Sequence, residues 1–413
     1  LRALAPLVVL VLTLLLPSTP SYTFTHLTIA FNYKHVDEEF QQFSNIVEAG
    51  GVVYVAGSKG AYVFVAAYDK GGRLWARSLN LGGNATVLNL SLEKGFLELI
   101  AYSRTFNATR LSLVRVGLDG TIAGSEHYTI YPRLFPLVAL RIEDSAYIAG
   151  ASYILGQNFN YMVARVSGKG VEWVQEDIGG PGSEVLKCAG VTLGSRILVV
   201  GDNGTSVSIM VVSQLGDILK HYIISYANVS VALNGCLKLE DSKFIAYGAI
   251  GGRPLLIPLI VEPSLDITIP SQNVGDITGV ITAGAGRGDI AAFYVTSGDQ
   301  SVILVYRFKG SGLELIGAVN ITDVARGFIA LSASYSNNSL TYAGYLIGDK
   351  PKALILSLTM TLTDTLEKGP GLLRIPLLEY ISDPRLTLAL LLAIVVLSAY
   401  VAYGRVRMRR PKG

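Results

Sequence analysis

The sequence predicts an all-β protein: a seven-bladed β-propeller of four-stranded antiparallel blades, followed by one C-terminal transmembrane helix. Three observations predict it. A strand-like element recurs seven times at a near-constant interval. Helical periodicity of useful length is absent between Tyr22 and Glu367, apart from a candidate turn at Asp37–Phe43. An uncharged run of eighteen residues, Leu386 to Tyr403, stands before a basic tail.

The N-terminus comes first in the chain. Arg2 precedes an apolar run, Ala3 to Leu16, and the small and turn-forming residues Pro17 to Ser21 follow. A basic start, a short apolar core and small residues after it describe a secretory signal, expected over residues 1–21. Fourteen residues are few for a spanning helix. The alternative is an uncleaved anchor or a buried helix.

Residues 22–367 carry the repeat. The recurring element reads VYVAGS from Val53, LELIAYS from Leu97, AYIAGAS from Ala146, ILVVGDN from Ile197, FIAYGAI from Phe244, DIAAFYV from Asp289 and LTYAGYL from Leu340. The intervals are 44, 49, 51, 47, 45 and 51 residues. A second run follows each, such as YVFVAAYD from Tyr62, and then a Gly- or Asp-containing turn and another run. A further short run precedes each. Four strands of about six residues with four connections of about five or six give roughly 45 residues. One such sheet cannot bury its faces alone, and a closed ring of sheets can. Two stacked sandwiches explain neither the period nor the count. The last blade is ambiguous: Thr361–Leu366 or His26–Tyr33 can supply its fourth strand.

The hairpin Asp69-Lys70-Gly71-Gly72-Arg73-Leu74-Trp75 resembles the D-x-x-G-x-x-x-W outer hairpin of PQQ-like and related secreted propeller repeats. Lys169-Gly170-Val171-Glu172-Trp173 is a weaker copy. The other blades lack the Trp, so the resemblance covers the blade type and no cofactor site. The adjacent cysteines and stacking tryptophans of a quinoprotein site are absent from the sequence, and no cofactor is expected. The Gly-His and Trp-Asp signature of WD40 repeats is absent too.

Residues 368–385 read as a linker, 386–403 as the membrane helix and 404–413 as a basic cytoplasmic tail. Eighteen residues of helix span about 27 Å, near the thickness of the hydrocarbon core. Arg405, Arg407, Arg409, Arg410 and Lys412 follow the run. Cations stay on the cytoplasmic side, which puts the repeat domain outside the cell.

Seven Asn residues begin N-x-S/T sequons: Asn84, Asn89, Asn107, Asn203, Asn228, Asn320 and Asn337. Chance supplies about two in a chain of this composition. They are the candidate glycosylation sites. In the blade scheme Asn84, Asn107, Asn203, Asn228 and Asn320 fall at one end of the strands, with Asn89 close by, and Asn337 at the other. Cys188 and Cys236 lie 48 residues apart, one repeat. Close approach of neighbouring inner strands would allow an inter-blade disulfide outside the cell. The alternative is two buried thiols.

Composition excludes other classes. Half the residues are hydrophobic and 16% are charged, too apolar a mixture for disorder. The net charge of +3 is too small to argue for nucleic acid. Two cysteines exclude a disulfide-dense module. His26, His35, His127 and His221 show no metal-ligand spacing, and no metal site or catalytic residue is assigned. No nucleophile elbow, Walker loop or CxxC occurs. Arg287-Gly288-Asp289 spells an adhesion tripeptide, in residues that turns favour anyway.

The expectation is a single-pass cell-surface glycoprotein of prokaryotic, archaeal type. Its propeller would bind protein or glycan partners or scaffold the envelope. The alternatives are an extracellular hydrolase or oxidoreductase with an axial active site, and a ligand-capturing uptake receptor.

Overall fold

The computed structural model describes residues 21–368, except 107, 154–157, 177–182, 227, 270, 273–276 and 311. Residues 1–20 of the expected signal segment 1–21, and the apolar run 386–403, lie outside the described residues, while Ser21 opens strand Ser21–Asp37. Among the described residues no helix is long and apolar enough to cross a membrane. Contacts divide the chain into a unit of Leu27–Thr361 and a unit of Leu1–His26 with Leu362–Gly413. In the second unit the described backbone is the first part of strand Ser21–Asp37 and the last part of strand Lys352–Lys368.

The Leu27–Thr361 unit contains seven sheets. Blade 1 is Asn45–Ala49, Val52–Lys59, Tyr62–Asp69 and Gly72–Asn80. Blade 2 is Asn84–Glu93, Phe96–Arg104, Thr109–Gly117 and Ile122–Ile130. Blade 3 is Leu134–Ile142, Ser145–Tyr153, Phe159–Ser167 and Gly170–Gln175. Blade 4 is Val185–Thr192, Arg196–Asp202, Ser206–Val212 and Ile218–Ser225. Blade 5 is Val231–Glu240, Lys243–Ile250, Arg253–Val261 and the two-residue edge Ile267–Thr268. Blade 6 is Val280–Arg287, Ile290–Ser297, Gln300–Lys309 and Gly312–Asn320, with Ser271–Gln272 added in parallel as a fifth strand. Blade 7 is Phe328–Ser336, Ser339–Leu346 and Lys352–Lys368, and its outer edge is the N-terminal strand Ser21–Asp37.

The first strand of each blade packs against the first strand of the next, and that of blade 7 packs against that of blade 1. The ring is therefore closed. The N-terminal strand resolves the ambiguity of the last blade. Thr361–Leu366 is the continuation of its third strand. Asn32 lies against Ser357 and Thr359, and Glu38 against Lys352, so the N-terminal strand runs antiparallel to its neighbour. The segment Asp37–Phe43 forms no helical turn; the one α-helical element among the described residues is Thr322–Ala325.

Burial follows position in the blade. The second and third strands are covered on both faces, so they read as continuous apolar runs: Ser206–Val212 is buried throughout. The outer strand faces solvent on one side, and Ile218–Ser225 alternates. The core is a series of layers between blades. Leu198, Val200, Phe244 and Ile257 fill the seam of blades 4 and 5, and Leu111, Leu134, Ile148 and Met162 that of blades 2 and 3. Phe40 stacks on Phe64 at 4.0 Å where blade 7 meets blade 1.

The glycine of the recurring element has a steric cause. A Cβ on Gly57, Gly150, Gly201, Gly248 or Gly344 would stand 1.9–2.4 Å from a backbone carbonyl oxygen of the chain entering or forming the first strand. The backbones approach too closely there for any side chain. Beside this approach the first strand carries a bulge in six blades, where pairing skips Leu88, Leu137, Lys187, Asn234, Thr282 and Leu331 in turn.

Candidate functional site

Antiparallel blades put their connections on two rims. One rim carries the links between strands two and three and those between blades; the other carries the tight turns joining strands one to two and three to four. On the first rim, blades 2 and 3 present an aromatic and arginine patch. Phe106, between strands two and three of blade 2, is fully exposed. Tyr131, in the link to blade 3, and Tyr153, at the end of that blade's second strand, are 48% and 41% exposed. Phe135 and Phe159 stand behind them, edge to face at 5.3 Å, and Tyr153 is 5.7 Å from Phe159.

Two arginines are fixed within the patch. The Arg104 guanidinium lies 4.1 Å from the centre of the Phe135 ring. That of Arg133 lies 5.1 Å from the Tyr131 ring. Arg133 also donates from Nε and Nη2 to the Glu176 carboxylate, at 2.7 Å for the shortest contact. This hydrogen bond raises the Arg133 pKa above its ordinary value. Aromatic rings and arginine forks are enriched at the energetic centres of binding surfaces. A monomer surface rarely leaves such groups clustered in water.

The sequons divide between the rims. Asn84, Asn203, Asn228 and Asn320 lie at the rim of the patch, by strand order. Asn203 Oδ1 accepts from the backbone N–H of Thr205 and Ser206, at 3.1 and 2.8 Å, which fixes its turn. Asn337 is exposed in a tight turn on the opposite rim, with φ +48°. Asn89 is half-buried in the middle of strand Asn84–Glu93. Asn107 lies outside the described residues. The propeller unit's last strand leaves at the rim opposite the patch: Thr359 pairs with Ser339, and Met360 N–H donates to Asn338 O at 2.8 Å.

Cys188 and Cys236 sit beside the bulges of blades 4 and 5. Their Cα atoms are 5.3 Å apart and their sulfurs are paired. Nearby, Asp202, 7% exposed, takes Lys187 Nζ at 3.2 Å and the Leu233 N–H at 3.0 Å. One carboxylate thus joins blades 4 and 5.

The hairpin tryptophans join blades too. Trp75 Nε1 donates to Leu118 O at 2.9 Å in the next blade. Trp173 Nε1 donates to Gln214 O at 3.0 Å, again one blade on. His35 Nε2 is 2.8 Å from Asp69 O at the seam of blades 7 and 1. His127 Nδ1 meets Ser112 Oγ at 2.9 Å, and burial lowers the His221 pKa. These three histidines sit in different blades. Among the described residues no three His, Cys, Asp or Glu side chains could hold a metal ion. The Arg287-Gly288-Asp289 tripeptide forms a tight turn of blade 6, with Asp289 Oδ2 3.6 Å from Arg307 Nε.

Sequence reasoning missed the patch. Its members come from separate connections of two blades, and no local pattern links them. The closed ring of four-stranded sheets defines the chain as a seven-bladed β-propeller. No family model matches the sequence, and no curated protein matches it. Among solved structures, a crystal structure of a protein from Lactobacillus plantarum is similar. It has 11% identity and a TM-score of 0.48, and the match covers 82% of this chain and 100% of that one. No property is carried across at that distance.

Proposed function

We propose that the protein is an exported, membrane-anchored binding module whose blade 2–3 rim engages a protein or glycan at the cell surface. The observation that carries the reading is the cluster of Phe106, Tyr131, Tyr153, Arg104 and Arg133 on one rim. Fixed arginines and rigid rings bind at low entropic cost.

The setting rests on the sequence. The signal segment, the apolar run 386–403 and the basic tail describe a single-pass protein with its C-terminus in the cytoplasm. The seven sequons fit glycosylation outside an archaeal cell, and oxidised Cys188 and Cys236 fit the same compartment. The Trp hairpins support a blade of the PQQ-like type.

The test is crosslinking on intact cells with the wild-type chain and with a Phe106→Ser, Tyr131→Ser, Arg133→Glu variant. The expected result is a defined partner with wild type and its loss in the variant, at equal surface level. A partner retained by the variant, or no partner together with turnover of a surface polymer, overturns the reading.

A further inference from the structure

The opposite rim has a second feature at the same pair of blades. A cavity of about 620 Å³ opens where the tight turns of blades 2 and 3 meet. Its floor is built on Glu98, which is 6% exposed. Glu98 Oε1 accepts from Arg115 Nε at 2.9 Å and from Arg141 Nη1 at 3.1 Å. Arg141 is also held by the Glu143 carbonyl, 2.9 Å from its Nε. The Arg115 side chain is 53% exposed and binds Glu98 through Nε. Among the described residues its two terminal nitrogens have no acceptor.

Asp144, also on the wall, stands 4.0 Å from Arg141 Nη2, and three further charges there are uncommitted. Lys94 Nζ and the carboxylates of Glu93 and Glu143 make no ion pair among the described residues. Lys94 and Glu143 hold left-handed backbone angles, with φ of 49° and 54°. The corresponding turns of blades 1 and 7 fill such positions with Gly50 and Gly51, and with Asn337 and Asn338. Those residues adopt the conformation at little cost, whereas Lys94 and Glu143 hold it as longer charged side chains. Phe96, 40% exposed, adds an apolar surface.

A free guanidinium fork suits a carboxylate, and free carboxylates suit an ammonium group. The wall offers both signs, so a simple anion or cation would satisfy half of it and meet repulsion from the rest. We propose that this cavity binds a small zwitterion of the α-amino-acid class. The carboxylate pairs with Arg115 and the ammonium with Glu93 and Glu143. Arg141 and Glu98 act as positioning residues that hold the Arg115 fork in place. The proposal is independent of the patch on the other rim.

The experiment is calorimetric titration of the full-length chain in detergent with glycine, glutamate and lysine, and with acetate and ethylamine as the two half-molecules. Saturable binding is expected for the amino acids, at least about tenfold tighter than for either half. Arg115→Gln should weaken it at least about tenfold, as should the pair Glu93→Gln with Glu143→Gln. The glutamine pair lies in exposed turns and should keep the wild-type unfolding temperature, so it decides the matter if Arg115→Gln fails to fold. No saturable heat with wild type, acetate binding as tightly as glycine, or wild-type affinity in the glutamine pair would overturn the assignment.

Discussion

Trp75 lies against Gly120 of the next blade, so closely that a Cβ on Gly120 would stand 2.9 Å from the indole ring. Gly120 also has φ +84°, a conformation costly for other residues. Gly120→Ala should therefore destabilise the protein by about 2 kcal/mol or more. Trp75→Phe keeps most of the ring and loses the bond to Leu118 O, at about 1 kcal/mol. Denaturant unfolding of the two single variants and the double should give a coupled cycle. Additive effects would show that the contact carries no energy. Trp173 and Gly216 repeat the arrangement, with a Cβ distance of 3.0 Å, and should behave alike.

Gly344→Ala should be among the most damaging glycine substitutions, at about 3 kcal/mol or more. The new methyl would meet Ile329 O at 1.9 Å, and a backbone carbonyl cannot swing aside. Gly124→Ala is the control: nothing lies within 4 Å of its Cβ position, and its φ is ordinary. That change should stay within about 0.5 kcal/mol. Equal midpoints for the two variants in urea would refute the close-approach account.

Replacing Cys188 and Cys236 by Ala together should lower stability by about 4 kcal/mol, the chain-entropy value for a loop of this length. The sequence separation is 48 residues. The purified wild-type chain should also resist thiol alkylation until it is reduced. Labelling of both cysteines in the unreduced, unfolded chain would show two thiols instead.

Glu48 makes stability fall with rising pH. Burial raises its pKa above the ordinary carboxylate value, and a hydrogen bond from Thr341 Oγ1, at 3.4 Å, offsets this in part. The folded form holds the proton more tightly than the unfolded form. The contribution is fully present below the ordinary carboxylate pKa and is lost as pH climbs through the raised value. Glu48→Gln keeps an acceptor for Thr341 and removes the charge. It should be more stable than wild type at neutral pH, and the gap should close in acid. A gap that widens in acid would contradict this sign.

Local chemistry was legible in the sequence. Val53 to Ser58 and its six copies announced the second strands, because strands covered on both faces are apolar without a break. Trp75 and Trp173 marked two outer hairpins. The placement of edges was not legible. His26–Tyr33 and Thr361–Leu366 alternate in the same way, and only three-dimensional closure decides which one pairs at the outside. The bulges at Leu137 and Lys187 shift the alternation by one residue within strands of eight or nine, which one sequence does not distinguish from an exception. The Glu98–Arg141 pair spans 43 residues, and Arg104 meets the Phe135 ring only because blades 2 and 3 are neighbours. Such sites arise from packing between repeats, where a local pattern carries no signal.

The use of an N-terminal strand as the outer edge of the last blade sets an order in time. Strand Ser21–Asp37 is synthesised before every blade, and its partner begins at Lys352, more than three hundred residues later. Six blades can form from contiguous sequence while that strand waits with an unpaired edge. Until translation passes blade 7 the molecule is an open arc with two adhesive ends, the state in which β-proteins pair with the wrong chain. A ribosome stalled before Lys352 therefore releases a product with nearly every blade and no way to finish the ring.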